Sequence, residues 1–214
     1  MRLRPVVRGL LSSVPGGERL LPRRGTGGTT SALYCYEVWL KHLTMLRANG
    51  MRAIPDTLAE LGPGDSIGIG IAAMLSGVNR YCALDVVRYS SIELNLAIFD
   101  ELLALFRARA GKPYASWPVY DRYLDERLFP SHILTEEILA ASLSERRISL
   151  LREALRAPGT ERDGIAIKYM VPWSDARVIE PGTIDVVGSH AVLEHVVDLE
   201  GTYRALSLWL KPGG

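Results

Sequence analysis

The stretch ELGPGDSIGIG, Glu60 to Gly70, sets glycines at 62, 64, 68 and 70 between the apolar runs "TLA" and "IAAML". A glycine inside a helix costs roughly 1 kcal/mol relative to alanine. A helix that keeps both Gly68 and Gly70 is therefore expected to have another backbone or a strand pressed against it. The run "RYCALDV" follows and ends at Asp85. Strand, glycine turn, helix (Ser66 to Leu75) and strand make one βαβ unit, which requires a parallel sheet and a right-handed crossover. The class is α/β, a doubly wound, mostly parallel sheet with helices on both faces.

The remaining chain extends that plan. "TTSALYCYEVWLKHLTMLRANG" reads as an amphipathic helix over 31–49, with Thr30 or Ser31 as cap, Gly50 as stop, and Tyr36, Trp39, Leu40, Leu43 and Leu46 at helical spacing. Leu96, Phe99, Leu103 and Phe106 predict a second helix from Ile92 to Ala110, closed by Gly111. Instead of a third strand within a few residues, an insertion follows over 112–164. It opens rich in aromatics and proline, holds Tyr114, Trp117, Tyr120, Tyr123 and His132, and ends in two helices, the second capped by Ser144. Such an insertion is expected to lie over the strand ends as a lid. "IAIKYMV" (165–171) and "TIDVVGSH" (183–190) resume the sheet, and Asp198 caps a helix carrying Leu199, Tyr203, Leu206 and Leu210 before "KPGG".

Composition narrows the partners. The 214 residues are 48% hydrophobic and 23% charged, enough for one domain with a sizeable core, and the net charge of +1 gives no footprint for nucleic acid. No apolar run reaches the ~18 residues of a membrane span. Cys35 and Cys82 form no CxxC pair, so neither a disulfide framework nor a zinc site is expected, and a reducing cytoplasm is the default. Residues 1–30, with Arg2, Arg4, Arg8, Arg19, Arg23 and Arg24 against Glu18 alone, read as a basic flexible arm or a targeting presequence.

A glycine turn feeding a helix N-terminus is expected to offer bare N–H groups to a nucleotide-like ligand. Asp85, about twenty residues further on, stands where a carboxylate accepts hydrogen bonds from ribose hydroxyls. Dinucleotide enzymes and adenosyl-methionine enzymes share this pattern. In G-x-G-x-x-G/A, Gly62 and Gly64 match, but the third position is Ile67. "ELGPGDSIG" instead resembles the first motif of class I S-adenosylmethionine-dependent methyltransferases, with Ser66 in place of a frequent third glycine. "ALDV", "YMVPWSD", "IDVVGSHAVLEHVVDL" and "ALSLWLKPGG" resemble later segments of that family in order.

The resemblance covers 58–111 and 165–214. It implies a Rossmann-like domain over 31–214, S-adenosyl-L-methionine as cofactor, and methyl transfer to a nucleophile on a small-molecule or glycan-type acceptor by in-line displacement. It further implies that Glu60 takes the methionine amino group directly or through water, while Gly62, Pro63 and Gly64 line the amino-acid portion. Asp85 would hold the ribose, Met170 and Val171 flank the adenine, and Ser189 lie near the cofactor. His190 is a candidate base; Glu194 and His195 are assigned to local packing, and no metal is expected. The family's sheet continues after such a closing turn, so a chain cut short after its fourth strand is implied. A nicotinamide-dependent oxidoreductase and a scaffold without turnover remain as alternatives.

Overall fold

In the computed structural model, residues 28–111, 129–173 and 175–214 are described. Tyr114, Trp117, Tyr120 and Tyr123 lie outside them, as do the arginines of the arm. Four parallel strands form the sheet's body: β1 (Thr57–Leu61), β2 (Arg80–Leu84), β4 (Ile165–Met170) and β5 (Val186–Ser189). A two-residue strand, β3 (Glu161–Arg162), pairs antiparallel with β4, and the order is β3-β4-β2-β1-β5. This is a Rossmann-like α/β fold. The register sets Glu60 opposite Ala83 on one side and Gly188 on the other, and Leu61 opposite Leu84 and Ser189.

Helices α1 (Ala32–Ala48), α2 (Gly68–Leu75), α3 (Ile92–Arg107), α4 (Glu136–Ser142) and α5 (Glu145–Arg156) share one core with Leu58, Tyr81, Ala83, Ile165 and Ile167. The opposite face, with Ala59, Leu61 and Leu84, carries α6 (Leu199–Trp209) and its Trp209. Helix α1 starts where Ser31 Oγ accepts the Tyr34 N–H. It stops at Gly50, φ +105°, where the Met51 N–H reaches back to Leu46 O at 3.0 Å and the Gly50 N–H to Arg47 O at 3.3 Å. That is the Schellman geometry, which favours glycine for its left-handed φ. The Trp39 indole N–H donates to Ser76 Oγ at 2.8 Å and so ties α1 to the end of α2. Among the described residues, no helix is long and apolar enough to cross a membrane.

Several expectations are corrected. Helix α2 begins at Gly68, not Ser66, because Ile67, at φ −91° and ψ 30°, lies outside the helical conformation and serves as its cap. Helix α3 ends before Gly111: Arg109 takes the left-handed position at φ +47°, and the Ala110 N–H closes on Leu105 O. The Arg109 guanidinium meets Glu136 there. Ser144 occupies the N-cap position of α5, but its hydroxyl donates back to Ala141 O instead of accepting from α5. Helix α6 turns Tyr203 and Leu199 outward, 55% and 44% exposed, because Trp209 sets its phase by donating to Ala176 O at 2.6 Å and stacking edge-on against Trp173.

The described part of the insertion is a layer of the domain, not a cover on the strand ends. Ile148, Leu151 and Leu155 of α5 join the main core, and Arg147 reaches Met74 O, Val78 O and Asn79 Oδ1, ahead of the start of β2. His132 is exposed on the turn that precedes α4. At the other end of the chain, residues 28–30 are not arm: they form a 3-10 turn whose Thr29 is bonded into the glycine turn.

Candidate functional site

The glycine turn leaves β1 at Leu61, and its conformation explains its residues. Gly62 (φ +61°) and Gly64 (φ +78°) are left-handed, where a Cβ is penalised. A Cβ on Gly62 would also lie 2.5 Å from Val192, in the loop after β5. Pro63 between them is buried. Gly68 and Gly70 are explained by neighbours: a Cβ on Gly70 would overlap the Tyr81 ring of β2, as the packing argument requires, whereas one on Gly68 would overlap Cys35 of α1.

The turn's donors are already engaged. The Gly62 N–H donates to Leu84 O at 2.8 Å, and the Gly64 N–H supports the Asp85 carboxylate. Thr29 Oγ1 accepts the N–H groups of Asp65 (3.0 Å) and Ser66 (3.4 Å). Asn95 Oδ1, from α3, accepts that of Ile67 at 3.1 Å, and Ser66 Oγ accepts that of Gly68 at 3.0 Å. The expected row of bare N–H groups is therefore corrected: neighbouring oxygens have replaced an external anion as their partners.

The carboxylates remain. Asp85 follows β2 directly, is 6% exposed, and accepts the Val86 N–H at 2.7 Å. Burial raises its pKa, against the N–H groups of Val86, Val87 and Gly64 that favour its charged form. Glu60 lies beneath the turn, 4% exposed, bonded by the Tyr81 hydroxyl and by the Gly70 N–H at the start of α2. Burial is the main reason its pKa is pushed up to about 7, the nearby Asp85 adding to the rise and these two hydrogen bonds opposing it. Glu60 also faces a cavity of about 10 Å³ shared with Trp39, His42, Ser189 and His190, the room a single water needs.

The shift at Glu60 carries a stability consequence. Its carboxyl keeps a proton in the folded state that the unfolded chain gives up from about pH 4.5, so folding loses free energy as pH rises towards and through about 7. At 1.36 kcal/mol per unit this is about 3 kcal/mol. Glu60→Gln is expected to gain that amount relative to the wild type between pH 4 and pH 8, read from urea unfolding at each pH. A difference that does not change with pH would contradict it.

Of the other expected residues, Met170 ends β4, half-buried against the α6-side core, with Val171 next to it. Ser189 ends β5, one strand away from Leu61. The structure thus brings Glu60, the turn, Asp85, Met170 and Ser189 to the carboxyl ends of four adjacent strands. Thr29 and Asn95 belong to no sequence motif, and His42, a packing or surface residue by its place among apolar neighbours, lines the cavity beside Glu60. His42 of α1 and His190, just after β5, lie with ring centroids 5.8 Å apart. Burial, the His190 ring and the Lys41 charge bring the pKa of His42 down to about 4; burial and Lys41 also lower that of His190, with Glu194 opposing. Among the described residues, no group of His, Cys, Asp and Glu has the arrangement to hold a metal ion.

No family model matches the chain, and no solved structure matches it. Two curated proteins are similar to it. A ubiquinone biosynthesis O-methyltransferase of Ralstonia nicotianae is 36% identical over 85 residues, 38% of this chain and 36% of that protein. A protein of the same description from Cupriavidus pinatubonensis is 34% identical over 85 residues, 38% of this chain and 34% of that protein. The chain therefore matches about a third of the length of these relatives. The resemblance to class I S-adenosylmethionine-dependent methyltransferases read from the motifs is matched by similarity to methyltransferases over this segment.

Proposed function

We propose that this chain carries the cofactor-binding portion of an S-adenosylmethionine-dependent O-methyltransferase acting on a hydroxyl of a small-molecule acceptor. The observation that carries the reading is the contrast between a glycine turn whose N–H groups are engaged internally and a buried Asp85 carboxylate at the end of the next strand. A dinucleotide needs free N–H donors for its pyrophosphate. A ribose needs an acceptor for its hydroxyls, and a ligand bearing ammonium and sulfonium groups suits a turn flanked by the carboxyl groups of Glu60, Asp65 and Asp85. The relatives' description as O-methyltransferases supports the hydroxyl as acceptor.

The bound sulfonium supplies an electrophilic methyl group. The chain's part is then to hold and orient: Asp85 takes the ribose hydroxyls, Met170 and Val171 give the adenine an apolar wall, and the turn over Gly62, Pro63 and Gly64 lines the amino-acid portion, with Gly64 letting the ligand lie close to the backbone. Glu60 acts on the ligand's ammonium through the water-sized cavity beneath the turn. Proximity and orientation supply most of the acceleration of such a transfer. Nucleic acid has no place in this reading, given the net charge of +1. With Cys35 and Cys82 both free, a reducing cytoplasm is the proposed setting.

Calorimetric titration with S-adenosylmethionine, S-adenosylhomocysteine and NADH tests the assignment. Both adenosyl ligands are expected to bind with micromolar or tighter affinity and NADH not to bind measurably. NADH binding as tightly as either would overturn the proposal.

A further inference from the structure

The loop that leaves β5 holds an imidazole at the rim of the proposed cofactor site, to which that reading gives no chemical role. Ser189 lies opposite Leu61 as the last pair of the register, so His190 is the first residue past the end of β5, as Gly62 is the first past the end of β1. Ala191 then takes a left-handed backbone conformation at φ +56°, which residues other than glycine seldom adopt and which tends to mark functional sites. The reversal lays Val192 against Gly62. His190 itself meets α1, with its ring edge-on to Tyr34 at 5.9 Å and to His42 at 5.8 Å.

We propose that His190 is the general base that takes the proton from the acceptor hydroxyl. The inference rests on the methyl-transfer reading above. In the step, the acceptor O–H proton moves to an imidazole nitrogen of His190 as the oxygen forms its bond to the methyl carbon. The carbon–sulfur bond of the sulfonium donor breaks, and its electron pair stays on sulfur. The imidazolium later returns the proton to water.

Three features fit this role. The ring lines the small cavity that Glu60 and Ser189 share at the carboxyl ends of β1 and β5, so a base there borders the strand ends from which the glycine turn leaves. Its neighbours fix it: Tyr34, Lys41 and His42 come from α1, Glu60 from β1 lines the same small cavity, and Glu194 follows in the next turn. Its burial and the Lys41 charge lower its pKa and so favour the neutral ring, the state in which imidazole accepts a proton. An imidazole base contributes typically 10²–10⁴-fold to a transfer of this kind.

The test uses His190→Gln and His190→Asn, with folding checked by circular dichroism, S-adenosylhomocysteine affinity by calorimetry, and methyl transfer to substituted phenols of graded acidity. Both variants are expected to keep wild-type S-adenosylhomocysteine affinity within about twofold. They should lose about a hundredfold in kcat on weakly acidic phenols and much less on phenols already ionised at the assay pH. The low-pH inflection of the wild-type profile should disappear. A second readout needs no turnover: the ultraviolet phenolate band of a bound nitrophenol, in the presence of S-adenosylhomocysteine, should depend on His190. Wild-type kcat in a folded variant, a uniform loss across phenols of every acidity, or no transfer to any phenol by a wild type that binds the adenosyl ligand would overturn the assignment of His190. A wild type that binds no adenosyl ligand would overturn the methyl-transfer reading itself.

Discussion

Asp85→Ala is expected to weaken S-adenosylhomocysteine binding by about a hundredfold. The carboxylate is positioned at the end of β2, 6% exposed, with one oxygen held by the Val86 N–H. The proposed ribose contact adds two charge-assisted hydrogen bonds, each worth roughly 1.5–3 kcal/mol, and about 1.4 kcal/mol is a tenfold change in affinity. Asp85→Asn keeps an oxygen for one hydroxyl and should fall between the wild type and the alanine variant. Calorimetry on proteins with unchanged thermal unfolding decides it. Equal affinities for wild type and Asp85→Ala would place the ribose elsewhere.

Gly70→Val carries the largest expected effect on stability, about 4 kcal/mol. The added carbons would overlap the ring of Tyr81, a residue 1% exposed, and overpacking of this kind costs roughly 1–3 kcal/mol. A displaced Tyr81 also withdraws its hydroxyl from Glu60, leaving a buried acceptor without that donor at about 1–3 kcal/mol more. The sum is a large share of the roughly 5–15 kcal/mol that holds a domain together. Gly188→Ala is the contrast, since its Cβ would meet nothing nearer than Ala59 O at 3.9 Å. Urea unfolding should show a large loss for the first and almost none for the second; equal losses would mean that the Gly70–Tyr81 contact is not what requires glycine.

What could be read from the sequence follows from distance along the chain. The βαβ unit was legible because its parts lie within thirty residues of one another and each announces itself: apolar runs, glycines that need left-handed φ, an acid at the next strand's end. Gly62, Gly64 and Asp85 take the positions this pattern requires. The state of the turn was not legible. Whether its N–H groups are bare depends on Thr29 and Asn95, neither of which belongs to a motif, and only folding brings them to the turn. The partnership of His42 and His190 was hidden in the same way, by the long separation between α1 and β5.

Local propensity misled where a neighbour had the stronger claim. Gly111 is the better left-handed residue, yet Arg109 takes that conformation and ends α3, with its guanidinium against Glu136. Ser144 is a good cap by type, but its hydroxyl was taken by the carbonyl of the preceding helix. The helical spacing of Leu199, Tyr203, Leu206 and Leu210 leaves out Trp209, whose complete burial sets the phase of α6 and leaves Tyr203 in solvent.

Asp185 is a small feature with reach. Its carboxylate accepts the Thr57 N–H at 2.8 Å and the Lys211 ammonium at 2.7 Å, the hydrogen bonds that hold its pKa down despite burial. Those bonds join the entry to β5 to the first residue of β1. A strand has a repeat of two, so sliding β5 by a single residue would turn each of its side chains to the opposite face. Sliding it by two would keep the faces and displace them by about 6.8 Å. Asp185 is thus the gauge mark of the sheet's outer ladder: by fixing where β5 begins to count, it decides five residues later both the height and the side at which His190 emerges beside the glycine turn.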